Sequence, residues 1–248
     1  MKSPAFFKRK SKKKEDQTKE DQSPSPSIAS GPQVFTDVAA DPFVRGLLHR
    51  PAKPNGSGLI LTHGAGSNCQ APLLVAIAEA FAGAGYLVLR CDLPYRQDRP
   101  YGPPGPGDAN RDRAGLKNAI AALRNLAVGR IFLGGHSYGG RQASMLCAEL
   151  PEAAAGLLLL SYPLHPPRKP EQLRTQHFCD LRTPALFVQG TRDPFGSIAE
   201  IEQALKSIPG KTKLLPVEGA GHDLGFKGKS KTELPDAVFS EFRAFFAV

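Results

Sequence analysis

From residue 34 onward the apolar positions come in short continuous runs, separated by longer stretches in which they recur at helical spacing. The runs at 44–48, 59–62, 86–89, 130–133, 157–160, 185–188 and 213–217 are of strand length and are bounded largely by Gly, Pro or polar residues. Between them, 72–81, 114–126, 142–150, 198–208 and 237–246 carry apolar residues three or four apart, and Gly83 and Pro151 stop two of these helices. Strands that are apolar on successive positions must be buried on both sides, which requires a mostly parallel sheet with helices on both faces. The pattern therefore predicts an α/β fold, doubly wound. In open sheets of this kind ligands bind beyond the carboxyl ends of the strands, so the residues that follow each run are where chemistry is to be sought.

The run at 130–133 is followed by Gly134, Gly135, His136, Ser137, Tyr138, Gly139 and Gly140, and then at once by a helix. A serine between two glycines at this junction can occupy a sharp, strained turn with its hydroxyl exposed, because the glycines let neighbouring backbone pass close. The helix that begins there favours negative charge developing at its N-terminus. A serine hydroxyl is a weak nucleophile and needs a base, itself oriented by an acid. Asp193 follows the run at 185–188 and His222 follows 213–217, each at the place such a nucleophile demands. Glu171 lies too far beyond its strand to be the acid, Asp223 adjoins the base too closely, and His49, His165 and His177 do not occupy the matching position. After 59–62 comes His63-Gly64-Ala65-Gly66. An oxyanion needs two preorganised donors, which we assign to the N–H groups of Ala65 and Tyr138, with Gly64 and Gly66 letting the backbone approach a substrate and His63 orienting the loop. Tyr95, Tyr101, Leu164 and Phe195 are candidates to line a shallow site. Arg141, one turn into the helix behind Ser137, is expected to make a structural ion pair, the alternative being a contact with an anionic substrate.

Taken together, the 63–66 loop, the turn around Ser137 and the Asp193 and His222 loops, in the chain order Ser, Asp, His, resemble the α/β-hydrolase fold over residues 34–248. A narrower similarity, carried by Leu89-Arg90 and by Gly134 through Arg141, is to the small hydrolases related to testis-expressed protein thirty and to the dienelactone-hydrolase branch. Dienelactone hydrolases carry Cys where this chain has Ser137, so the resemblance implies acyl-transfer chemistry on esters, thioesters or amides without naming one. The function expected is serine-dependent hydrolysis of a small-molecule acyl substrate with no metal or organic cofactor. The alternative is a non-catalytic interaction module on the same fold.

Composition adds limits. The chain has 248 residues, of which 41% are hydrophobic, enough for one full core, and no apolar stretch is long enough to span a bilayer. Of the net charge of +9, the first thirty residues contribute eight Lys/Arg less four Asp/Glu, or +4. Residues 1–30 are therefore read as a disordered basic tail ahead of a hydrolase domain at 31–248. The tail lacks the apolar face or aromatic ladder of a specific nucleic-acid or membrane binder, so only weak contacts with anionic surfaces are expected of it. It also lacks the apolar core of a secretory signal. Cys69, Cys91, Cys147 and Cys179 are scattered, without metal-ligand or disulfide spacing, and are assigned to packing. Both points favour the cytoplasm. The connection at 161–184 contains Pro163, Pro166, Pro167 and Pro170, which forbid a long helix, so no cap domain is expected.

Overall fold

In a computed structural model of the chain, the residues described are Met1, 31–127, 129–226 and 233–248. The basic tail expected at 1–30 lies outside them apart from Met1. Eight strands form a single sheet in the order β1 (Gln33–Asp37), β2 (Val44–His49), β4 (Leu87–Cys91), β3 (Gly58–Thr62), β5 (Ile131–His136), β6 (Gly156–Leu160), β7 (Ala185–Gly190) and β8 (Thr212–Val217). β1 pairs with β2 and β2 with β4 in antiparallel fashion, and every other pairing is parallel. The α/β architecture read from the hydrophobic pattern holds, with one addition. β1 was not expected, because an edge strand that is half exposed on both sides carries few apolar residues to announce it.

The helices divide the core in two. α1 (Pro72–Gly83) and α6 (Glu233–Phe246) cover one face, where Leu59, Leu61, Val88, Leu158, Leu160, Leu186 and Val188 point toward Phe81 and Phe242. α3 (Asp108–Arg124) and α4 (Tyr138–Glu149) cover the other, against Ile60, Leu89, Leu133, Leu157, Leu159 and Phe187. Successive residues of one strand thus enter opposite cores, the consequence of the two-residue period that makes central strands apolar throughout. α5 (Ile198–Leu205) begins with a capping box in which Ser197 and Glu200 exchange hydrogen bonds, and it buries Ile201.

Three helices begin earlier than their periodicity suggests, among them α4 at Tyr138 rather than 142 and α6 at Glu233 rather than 237. α3 starts at Asp108 rather than near 114, because its first turn is polar and exposed. A further short helix, α2 (Pro94–Asp98), has no counterpart among the helical stretches of the apolar pattern, and carries Pro94 at its first position, where the missing N–H costs nothing. Between β6 and β7 the chain makes only one 3₁₀ turn, Phe178–Asp180, so no cap is inserted. Cys69, Cys91 and Cys147 are buried as expected of packing residues. Cys179, in that exposed turn, is not.

Candidate active site

The carboxyl ends of β3, β5, β7 and β8 converge on a cavity of about 1040 Å³. At its floor Ser137 joins β5 to α4 with φ 52° and ψ −117°, a left-handed conformation that costs a non-glycine residue about 1–3 kcal/mol and persists only where the surroundings enforce it. They do. A Cβ at Gly135 would stand 2.8 Å from Thr62 O and from Gly140 N, and one at Gly139 would stand 2.6 Å from His63 O. The two glycines on either side of the serine are therefore needed for β3, β5 and α4 to meet closely enough to form the turn.

His222 reaches this serine from the loop after β8. Its Nε2 lies 2.8 Å from Ser137 Oγ, and its Nδ1 lies 2.8 and 3.0 Å from the two oxygens of Asp193. Asp193 is buried and is held in turn by the Gln189 side-chain amide (2.9 Å) and the Phe195 N–H (2.9 Å). Phe195 stacks on the His222 ring at 4.1 Å between centroids. From the other side His136 donates its Nε2 proton to the His222 carbonyl at 2.7 Å, and burial lowers its pKa to about 4, so it is a fixed neutral prop. The arrangement allows the hydroxyl proton to pass to an imidazole whose other nitrogen is already committed to a carboxylate.

The 63–66 loop is tied down from behind. The carbonyl of Ala65 accepts from Tyr95 Oη (2.8 Å) and Arg96 Nη2 (3.1 Å), and that of Ser67 accepts from Arg96 Nε (2.7 Å). His63 donates Nδ1–H to the Gly64 carbonyl (2.9 Å) and accepts the Leu93 N–H at Nε2 (3.1 Å), and burial lowers its pKa. Asp112 accepts from the Tyr138 hydroxyl (2.7 Å) and the Tyr95 N–H (3.1 Å), joining α2, α3 and the turn around Ser137 through one carboxylate. With its carbonyls fixed, the loop presents its N–H groups elsewhere. Among the described residues neither Ala65 N–H nor Tyr138 N–H donates to a protein acceptor, and both residues line the cavity.

The sequence-based assignments fare unevenly. Gly64, Gly66 and Phe195 line the cavity with Ser137 and His222. Tyr95 and Leu164 do not: each is 1% exposed, Tyr95 as a brace beneath the loop and Leu164 in the core on the α3/α4 side of the sheet. Tyr101 is 86% exposed and makes no wall. Arg141 makes no ion pair among the described residues, because its neighbours are the cation Arg174 and a His177 ring kept neutral by burial, and its own helix offers no carboxylate within reach. His49, His165 and His177, set aside as bases, are occupied with Arg90, the Pro166 carbonyl and Ser144. Asp112, Arg96 and His136 were not anticipated. Only His136 gave a signal, as the residue inside the glycine-flanked turn.

A profile described as an alpha/beta hydrolase domain matches residues 55–246, and the chain belongs to that family. Among solved structures it is similar to Est1E from Butyrivibrio proteoclasticus, at 18% identity over 88% of this chain and 100% of that one, with a TM-score of 0.67. It is also similar to a dienelactone hydrolase from Anabaena variabilis (21% identity, 88% and 98% covered, TM-score 0.66). A third is a Xanthomonas campestris protein described as an α/β serine hydrolase without lid (15% identity, 89% and 97% covered, TM-score 0.65). Family and fold support a hydrolase, built without a cap.

Proposed function

We propose that the protein is a serine hydrolase that cleaves small carboxylic esters or related acyl substrates. The observation that carries this reading is the 2.8 Å approach of His222 Nε2 to Ser137 Oγ while both oxygens of Asp193 hold Nδ1. Ser137 Oγ attacks the carbonyl carbon and its proton passes to His222. The oxyanion of the resulting tetrahedral species is held by the N–H groups of Ala65 and Tyr138, in line with the first-turn helix field at α4. Collapse breaks the bond to the leaving oxygen, which takes the proton from His222 and departs, leaving an acyl-enzyme. Water then repeats the sequence: it gives a proton to His222, adds to the acyl carbon, and Ser137 Oγ leaves with that proton as the acid is released. Asp193 keeps the Nδ1–H tautomer and stabilises the imidazolium in both halves. The test is turnover of p-nitrophenyl acetate and butyrate by the purified chain. Hydrolysis with a burst of nitrophenol equal to the enzyme present, absent in Ser137→Ala, is expected. Equal rates for the two proteins would remove the proposal.

A further inference from the structure

Two arginines stand in the same cavity, neither of them in a salt bridge among the described residues. Arg141, on α4, and Arg174, from the connection between β6 and β7, both line it. The Arg141 guanidinium has five N–H donors. Its Nε is buried without an acceptor, and the polar side chain within reach of the rest of the guanidinium is the Tyr162 hydroxyl. Arg174 is scarcely better served, since its Nη1 reaches only the Pro163 carbonyl, at 3.4 Å. The charge beside Arg174 is that of Arg141, and the pKa of Arg174 is lowered by burial and by that guanidinium. The Tyr162 hydroxyl spends its proton on the Arg174 carbonyl (2.7 Å). Behind them His177 is pushed down to about 4 by burial, by Arg141 and by Arg113, and Arg113 is itself paired with Glu149 at 3.0 Å. Among the described residues the one carboxylate that lines the cavity is Asp223, next to His222, whose Oδ1 accepts the Gly225 N–H at 3.0 Å.

Holding two guanidiniums near each other without a counter-charge is costly, and a buried Nε with no acceptor raises that cost. Such a site stands ready for a planar anion that can take several N–H donors at once, for which arginine is better suited than lysine. Arg141 lies one helical turn from Ser137, with its backbone N–H bonded to the Ser137 carbonyl at 2.9 Å. A turn rises about 5.4 Å, so an anion held there would sit a few bonds from an acyl carbon on the serine. We propose that Arg141 and Arg174 form a carboxylate subsite, and that the substrate is an acyl compound carrying a free carboxylate a short distance from the scissile carbonyl. This rests on the hydrolase reading above and narrows it from esters in general to anionic ones.

The experiment compares matched pairs: mono-p-nitrophenyl glutarate against p-nitrophenyl valerate, with the carboxylate on the acyl side, and 4-acetoxybenzoate against phenyl acetate, with it on the leaving side. In at least one pair kcat/KM should favour the anionic member by tenfold or more after correction for intrinsic reactivity. In Arg141→Gln and Arg174→Gln that ratio should fall at least tenfold, and Arg141→Lys should recover part of it. Absence of preference in both pairs, or ratios left unchanged by the substitutions, overturns the subsite. A second arm needs no turnover: calorimetric titration of glutarate into Ser137→Ala should give binding that weakens at least tenfold on adding Arg141→Gln, with folding checked by the melting temperature. Binding of this kind without hydrolysis of any ester would sustain the subsite and sink the hydrolase reading. Hydrolysis without glutarate binding or anionic preference would do the reverse.

Discussion

The two sides of the cavity differ in how they are satisfied. On the His222 side the groups that position the base are paired: Asp193 is held by Gln189 and Phe195, His222 by Asp193 and Ser137, and the His222 carbonyl by His136, with Gln189 Oε1 the buried atom left over among the described residues. On the Arg141 side the buried Nε goes without, and neither that guanidinium nor the one of Arg174 meets a carboxylate among the described residues. A closed network fixes positions before any substrate arrives, which chemistry requires. An open one marks where the missing partner must come from outside, which recognition requires. The largest test of this division is at the closed side. Ser137→Ala and His222→Ala should each lower kcat by about 10⁴ to 10⁶, and the double variant should be no slower, because members of such a unit act together. Multiplicative losses in steady-state kinetics would show that they do not.

Smaller effects are expected from the brace under the 63–66 loop. Arg96→Met removes two bonds that hold the Ala65 and Ser67 carbonyls, and Tyr95→Phe removes another. A donor displaced by about 1 Å can cost up to 10²-fold, so we expect kcat to fall by about tenfold to a hundredfold with KM nearly unchanged. A loss confined to KM would mean that the brace shapes binding and leaves the oxyanion donors alone.

Acid sharpens the contrast through stability. His136 and His49 both have pKa values lowered to about 4, mainly by burial, against an ordinary value of 6.5. Between these limits the unfolded chain binds protons that the folded chain excludes, so the stability they contribute is complete above pH 6.5 and is lost as pH falls toward 4. Each unit in that window removes about 1.4 kcal/mol per histidine. Urea denaturation at pH 7 and pH 5 should register the fall, and a flat profile would show that these rings are charged or solvated in the folded protein. The smallest effect concerns chain length. Without a cap, long acyl chains cannot recover about 0.8 kcal/mol per methylene by burial. For neutral nitrophenyl esters kcat/KM should peak at acetate or butyrate and decline beyond about six carbons, whereas a steady rise to decanoate would reveal a covered channel.

The same division governs what could be read from the chain. Ser137, Asp193 and His222 were legible because each follows a buried strand, and the glycines at 135 and 139 record a backbone contact that only glycine permits. The brace was not legible. The contacts of Arg96 to Ala65 and Ser67 span 31 and 29 residues, and a Pro-rich stretch gave no sign that Pro94 starts a helix. Tyr95 was placed in the wall rather than beneath it for the same reason, and Leu164 because nothing local tells a loop leucine from a core one. The ion pair expected of Arg141 failed because its surroundings are set by Arg174, thirty-three positions away in a loop without periodicity.

The central claim is that Ser137 is activated by His222. A fluorophosphonate phosphonylates only a serine whose proton is taken as it attacks, so the direct measurement is intact mass of the folded chain after exposure to the reagent. The account predicts one phosphonyl group per chain, located on Ser137, absent in Ser137→Ala and formed at least a thousandfold more slowly in His222→Ala. A folded wild-type chain that stays unlabelled, or a Ser137→Ala chain labelled as fast as wild type, would contradict it.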